Sequence, residues 1–148
     1  MLKFILFLFL DLSDFLIVTE PDKSILRKLW IGEKFSVQLQ AFRPYHSYNP
    51  IGVACDAVNK RVYWTDNYRE EVYVTDFDAK MSKKIVENIR GYSRLAFDSI
   101  ARNLYITEDF SNKIIVANIA GNSTRKKTVA SVKNPQSIAL DLQLGYVQ

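Results

Sequence analysis

"IGVACDAVNKRVYWTDNYREEVYVTDFDAKMSKKIVENI", residues 51–89, returns in altered form 42 residues further on. Laid over "SRLAFDSIARNLYITEDFSNKIIVANIAGNSTRKKTVASV", residues 93–132, it places Asp56 on Asp98, Tyr63 on Tyr105, Thr65 on Thr107, Asp66 on Glu108 and Val72 on Ile114. After one inserted residue, Lys84 falls on Lys127. A third copy opens at "QSIALDLQLGYV", where Asp141 lies 43 residues beyond Asp98. Backwards, "FLIVTEPDKSILRKLWI" (residues 15–31) fits the middle of an earlier copy, with Thr19 and Glu20 in the places of Thr65 and Asp66. A fixed period of this kind decides the architecture before any local structure is read.

Within each unit the apolar runs are short. "IGVACD", "RVYWTD", "EVYVTDF" and "KKIVENI" are rich in Val, Ile, Tyr and Trp, and the segments between them carry Asn, Lys, Asp, Arg and Gly. Four short strands in about 42 residues are the content of a propeller blade, a small sheet that packs face to face on the next around an axis. A helical solenoid of similar period needs amphipathic stretches of about 12 residues, and "KRVYWTDNYREEVYVTDFD" alternates instead. The expectation is an all-β chain, a partial β-propeller of about three to four four-stranded blades. Its units are residues 15–50 (partial), 51–92, 93–135 and 136–148 (partial).

Alternation sends Tyr63 and Thr65 to one face of their strand, and Val62, Trp64 and Asp66 to the other. A blade inside a propeller is covered on both faces, and aromatic side chains supply the bulk while keeping one polar atom for a hydrogen bond. Asp66 ends its strand, where a carboxylate accepts backbone N–H groups of the turn. Asp56, Asp98 and Asp141 close the first strand of each unit in the same way. These acids, with Glu20 and Glu108, recur without a second recurring catalytic group, so they read as devices of the repeat and not as general acids or bases. No catalytic residue, metal ligand set or cofactor site is expected.

The composition agrees with a globular domain: 148 residues, 48% hydrophobic and 24% charged. Twenty Lys and Arg against sixteen Asp and Glu give a formal charge of +4, spread along the chain without a basic helical stripe, which argues against a nucleic-acid partner. Two short clusters, Lys83–Lys84 and Arg125–Lys127, recur at matching places. They read as charges that guard each outer strand against edge pairing, the alternative being a glycosaminoglycan or acidic-ligand patch. Cys55 is the only cysteine, so no disulfide or thiolate metal site exists within the chain, and in "IGVACDA" it reads as a small buried residue. His46 is also alone, beside aromatic residues in "PYHSY".

The first residues, "MLKFILFLFLDLSD", place one Lys ahead of a compact apolar run too short to span a bilayer, so residues 1–14 read as a signal peptide. No small-x-small cleavage site follows, and a buried strand or a displaced gene start are the alternatives. "NST" at Asn122 is an N-glycosylation sequon in the polar turn between the third and fourth strands of its unit.

"IGVACDAVNKRVYWTD" resembles the YWTD, or class B, repeat of the low-density lipoprotein receptor family, an apolar run ending in Asp, a spacer, then Tyr-Trp-Thr-Asp. "NPQSIALDLQLGY" is similar to the opening of a next repeat, and "FLIVTEPDKSILRKL" to the first strands of a first blade in receptor-related members. The second unit departs from the pattern at Ile106 and Glu108. The resemblance implies an extracellular six-bladed propeller, as in endocytic lipoprotein receptors, Wnt co-receptors and the matrix protein nidogen, which binds proteins and is not an enzyme. It implies an extracellular protein ligand (a lipoprotein, a Wnt-pathway or a matrix protein) and, for a receptor, attachment through a transmembrane helix that these residues do not include. A nidogen-like matrix linker is the alternative, and a propeller hydrolase a further one that would need channel-facing metal ligands or a histidine base. In propellers, contacts come from loops at one end. The turns "NYREE" and "EDFSN" therefore make Tyr68, Arg69 and Phe110 the candidate ligand face. Six such units need about 250 residues, so an open arc with exposed strand edges and poor stability by itself is expected, and the stop after "GYVQ", inside a second strand, reads as a truncation.

Overall fold

Three meandering sheets follow one another along the chain in the computed structural model, which describes residues 4–8, 15–31, 37–42, 47–121, 123–142 and 146–147. The first sheet holds β1 (Phe4–Leu8), β2 (Phe15–Glu20), β3 (Ile25–Ile31) and β4 (Val37–Phe42). The second holds β5 (Pro50–Asp56), β6 (Arg61–Asp66), β7 (Glu71–Asp76) and β8 (Ser82–Glu87). The third holds β9 (Leu95–Asp98), β10 (Asn103–Glu108), β11 (Lys113–Asn118) and β12 (Arg125–Ser131). β13 (Leu140–Asp141) and β14 (Tyr146–Val147) pair as the start of a fourth. Every pairing is antiparallel between sequence neighbours, the order short turns impose. The first unit has four strands where the sequence reading begins it at residue 15, because Phe4–Leu8 pairs along β2 from Phe4 opposite Thr19 to Leu8 opposite Phe15.

The repeat is visible in the register. Tyr63 lies between Ala54 and Val74, and Tyr105 lies between Ala96 and Val116, the same row one unit later. The first strands are inner, and β5 packs against β1 and β2 on one side and β9 on the other. β6 is buried at every residue after Arg61, whereas β12 is exposed at every residue except Ala130. Burial therefore falls from the inner strands to the outer edge, as blades fanning out from an axis require.

Alternation along β6 feeds two cores. Val62 and Trp64 join Ile17, Leu26, Val53 and Tyr73 between the first and second sheets. Tyr63 joins Ala54, Val72, Leu95, Leu104 and Ile115 between the second and third. Trp64 is fully buried and stacks on Tyr73 with ring centroids 4.7 Å apart and planes 14° from parallel. At about 25 cal/mol per Å² over roughly 200 Å², that burial contributes on the order of 5 kcal/mol before entropy is charged against it.

The turns repeat too. The last residue of each four-residue hairpin turn, Lys60, Glu70, Arg102 and Asn112, has a φ between 52° and 57°. At three of them the aspartate that ends the preceding strand, Asp56, Asp66 or Asp98, accepts the turn's amides, which is the local bond that Asp makes and that steers a chain into turns.

Candidate functional site

The strand ends divide the molecule into two surfaces. One carries the β5–β6 and β9–β10 turns, and there lie Asp56 and Asp98, the acids that close the first strands. Asp56 is buried and accepts the Asn59 backbone N–H at 3.1 Å and the Asn59 side-chain amide at 2.8 Å. Its other partner comes from the next sheet, the Arg102 guanidinium. Arg102 also lies over the Phe97 ring at 4.9 Å and reaches the Tyr63 hydroxyl at 3.5 Å, while Tyr63 and Phe97 sit 5.0 Å apart. Burial alone pushes the Asp56 carboxyl up, but the bonds from Arg102 and Asn59 outweigh it and hold the group below the usual aspartate range. Asp98, one unit on, accepts the amides of Ile100 (2.8 Å) and Ala101 (2.9 Å). Asp141 ends β13 half-buried, opposite Tyr146.

Two threonines of the repeat, Thr19 and Thr65, tie sheet to sheet. Thr19 donates to the Ile51 carbonyl at 3.1 Å, and Thr65 donates to the Ser93 carbonyl at 3.1 Å while accepting the Gly52 N–H at 2.7 Å. Thr107 accepts the Arg94 N–H at 2.8 Å. Tyr105, on the same face of β10 as Thr107, borders with Ile114, Val129 and Pro135 an opening of about 700 Å³.

At the opposite end Asp66, fully buried, accepts the amides of Tyr48 (2.9 Å), Tyr68 (3.1 Å) and Arg69 (3.3 Å). Glu20 occupies the same place in the first unit and is ion-paired to Arg27 and, at 2.9 Å, to Lys23. Glu108 departs from the alignment's expectation. Its longer side chain pairs with Lys113 at 3.1 Å, and the next residue, Asp109, accepts the Tyr92 N–H at 2.8 Å instead. Sequence reading missed Asp109 because the loop ahead of the first strand is out of step with the repeat: Tyr48 stands eight residues before Asp56, and Tyr92 six before Asp98. Gly91, at φ +90, leaves the space that Asp109 uses.

This end is also where the exposed aromatics collect. Tyr48 (51% exposed) and Tyr68 (78%) have ring centroids 5.8 Å apart, and Arg69 lies 4.5 Å over the Tyr48 ring. One unit later Tyr92 (49%) and Phe110 (71%) pair edge to face at 6.1 Å. The candidate residues Tyr68, Arg69 and Phe110 are thus on one end, in two neighbouring units, and Tyr48 and Tyr92 complete each pair from the preceding loop. Nothing in the strand pattern pointed to those two. Arg69 also donates to the Tyr73 hydroxyl at 3.0 Å, so its guanidinium is held in place.

Cys55 lies in β5, where burial pushes its thiol far up. Among the described residues no group of three His, Cys, Asp or Glu side chains is placed to hold a metal ion. Asn122 and His46 lie outside the described residues.

No family model matches the chain. Over 89 residues it is 32% identical to low-density lipoprotein receptor-related protein 5 of Mus musculus, a match covering 58% of this chain and 6% of that relative, so the chain spans a small part of the curated relative's length. Its fold is similar to one in the crystal structure of a nidogen/laminin complex, with a TM-score of 0.72 and 23% identity over 84% of this chain and 48% of that one. The repeat, the sheet order and both likenesses agree: the chain is a stretch of YWTD-type β-propeller, similar in sequence to a receptor-related protein of the low-density lipoprotein receptor family.

Proposed function

We propose that this chain forms part of an extracellular, receptor-related propeller that binds a protein ligand through the end bearing Tyr48, Tyr68, Arg69, Tyr92 and Phe110. The observation that carries the reading is the repetition of an exposed aromatic pair at the same end of two adjacent units. Large aromatic rings left in water gain most when a partner covers them, and Tyr and Arg dominate the residues that carry binding energy at protein interfaces. Asp66 holds the backbones of Tyr48, Tyr68 and Arg69, and Asp109 that of Tyr92, so less ordering entropy is lost when a partner binds. The names of the two similar proteins, one receptor-related and one a nidogen/laminin complex, support a partner outside the cell.

The nidogen likeness also favours a second reading, a matrix linker that uses the same end. A membrane-spanning helix elsewhere in the same gene product decides for the receptor. The chain, displayed on cells and probed with a library of secreted ectodomains, is expected to capture at least one partner. Tyr68→Ser and Phe110→Ser each weaken that capture by about tenfold or more, the scale of an interface hot spot, with the melting temperature unchanged. Capture that is indifferent to both substitutions removes this end as the ligand face.

A further inference from the structure

The outer edges of the second and third sheets leave a groove between them that the protein-binding end does not use. It consists of two adjoining openings of about 500 and 300 Å³ that share Lys84, Ile85 and Thr124. It follows β8 from the β5–β6 turn to Asn88, and a six-residue strand is about 20 Å long. Val74, Ile85 and Ile119 give it an apolar floor. Its cations, Arg61, Lys83, Lys84 and Lys126, outnumber its acids, Asp76 and Glu87.

These cations differ in what they already do. Lys84 is ion-paired to Glu71 at 3.0 Å and Glu87 at 3.1 Å, and Lys126 crosses the groove to the carbonyls of Glu87 (2.7 Å) and Asn88 (3.1 Å). Arg61 and Lys83 are exposed and, among the described residues, have no ion-pair partner. Arg125 and Lys127 extend the charge over the outer wall, on a strand exposed at all but one residue and without an acid. Edge protection needs a charge on each edge strand. It does not need an excess of one sign concentrated along a groove, which costs repulsion energy unless an anion occupies it.

We propose that this groove binds a sulfated polysaccharide of the glycosaminoglycan kind. Sulfate groups would pair with Arg61 and Lys83, and the C–H faces of the sugar rings would lie on the Val74, Ile85 and Ile119 floor. An extended peptide fits less well: both flanking ladders carry a bulge, between Val72 and Tyr73 and between Ile114 and Ile115, which bends the edge strands away from the regular hydrogen-bond row that strand addition needs. Nucleic acid fits less well again, since no aromatic ring lines the groove to stack a base. The inference rests on the extracellular reading above, where such glycans occur.

The test is fluorescence anisotropy of a labelled heparin octasaccharide with the purified chain at near-physiological salt. The double variant Arg61→Gln/Lys83→Gln is expected to bind about tenfold more weakly, and Lys23→Gln/Lys133→Gln, which removes the same charge elsewhere, less than about twofold. Lys83→Gln alone serves if the double variant lowers the melting temperature. No binding, an equal loss from both double variants, or tighter binding of polyglutamate or oligouridylate of matched charge overturns the proposal. Tyr68→Ser retains heparin binding, and Arg61→Gln/Lys83→Gln retains protein capture, so the two surfaces fail or stand separately.

Discussion

Arg102 places its guanidinium on the carboxylate of Asp56, a residue of the preceding sheet 46 positions earlier in the chain. Asp56 is 1% exposed, and the Arg102 side chain remains 25% exposed. The pair thus holds one buried charge from a rim that water still reaches. Removing the arginine leaves that charge without its main partner, which is where ion-pair deletions destabilise most. Arg102→Met is expected to lower stability by about 2–3 kcal/mol, reduced from the fully buried case by the exposure of the arginine. A double-mutant cycle with Asp56→Asn, followed by urea unfolding, separates the pair from the packing of Phe97 and Tyr63.

The same pair gives a pH dependence with a definite sign. The folded carboxyl of Asp56 sits below its ordinary value, burial notwithstanding, because Arg102 and Asn59 favour the charged form. A group depressed in the folded state contributes stability above its unfolded value of about 3.9, and loses it as pH falls through the folded value. The stability gap between the natural chain and Asp56→Asn should be full at neutral pH and close below about pH 4. Unfolding midpoints at pH 7, 4 and 3 check it, and a gap unchanged at pH 3 removes Asp56 as the titrating group.

Thr65 is buried, and its hydroxyl does two tasks at once: it accepts from Gly52 and donates to the Ser93 carbonyl of the next sheet. Thr65→Val keeps the shape and strands both partners in the interior. The expected loss is about 2 kcal/mol, with Thr65→Ser within about 1 kcal/mol of the natural chain because the hydroxyl survives. Thermal melts of the two variants side by side show whether the hydroxyl or the methyl matters.

Two glycines mark close approaches. A Cβ on Gly52 would stand 2.6 Å from the Ser93 carbonyl oxygen, and one on Gly91 would stand 1.7 Å from the Asp109 carboxylate at a φ of +90. Gly52→Ala pushes two backbones apart and should destabilise by about 2 kcal/mol. Gly91→Ala adds left-handed strain and displaces Asp109 from the Tyr92 amide. It should raise hydrogen exchange at Tyr92 and loosen the Tyr92–Phe110 pair, seen as loss of protection in native-state exchange.

What could be read in the sequence was whatever is local or periodic. The 42-residue offset predicts two complete units between two partial ones, with strands that begin and end near the repeated acids, and the alternation of "VYWTD" predicts one strand feeding two cores. The candidates Tyr68, Arg69 and Phe110 could be named because they follow those acids in short turns. Sequence by itself therefore determined the strands, the turns and the stacking of units, since period-two burial and Asp-capped turns act over a few residues.

Tertiary structure alone decided the partners. Arg102 meets Asp56, Lys126 crosses to Glu87, and Tyr48 joins Tyr68 only once the sheets and loops have packed. Asp109 rather than Glu108 takes the Tyr92 amide, because the loop ahead of β9 is shifted by two residues against the repeat. Contacts between segments about 18 to 46 residues apart are set by the approach of whole sheets, and one methylene in a side chain or a short shift of a loop is enough to exchange the residue that makes them.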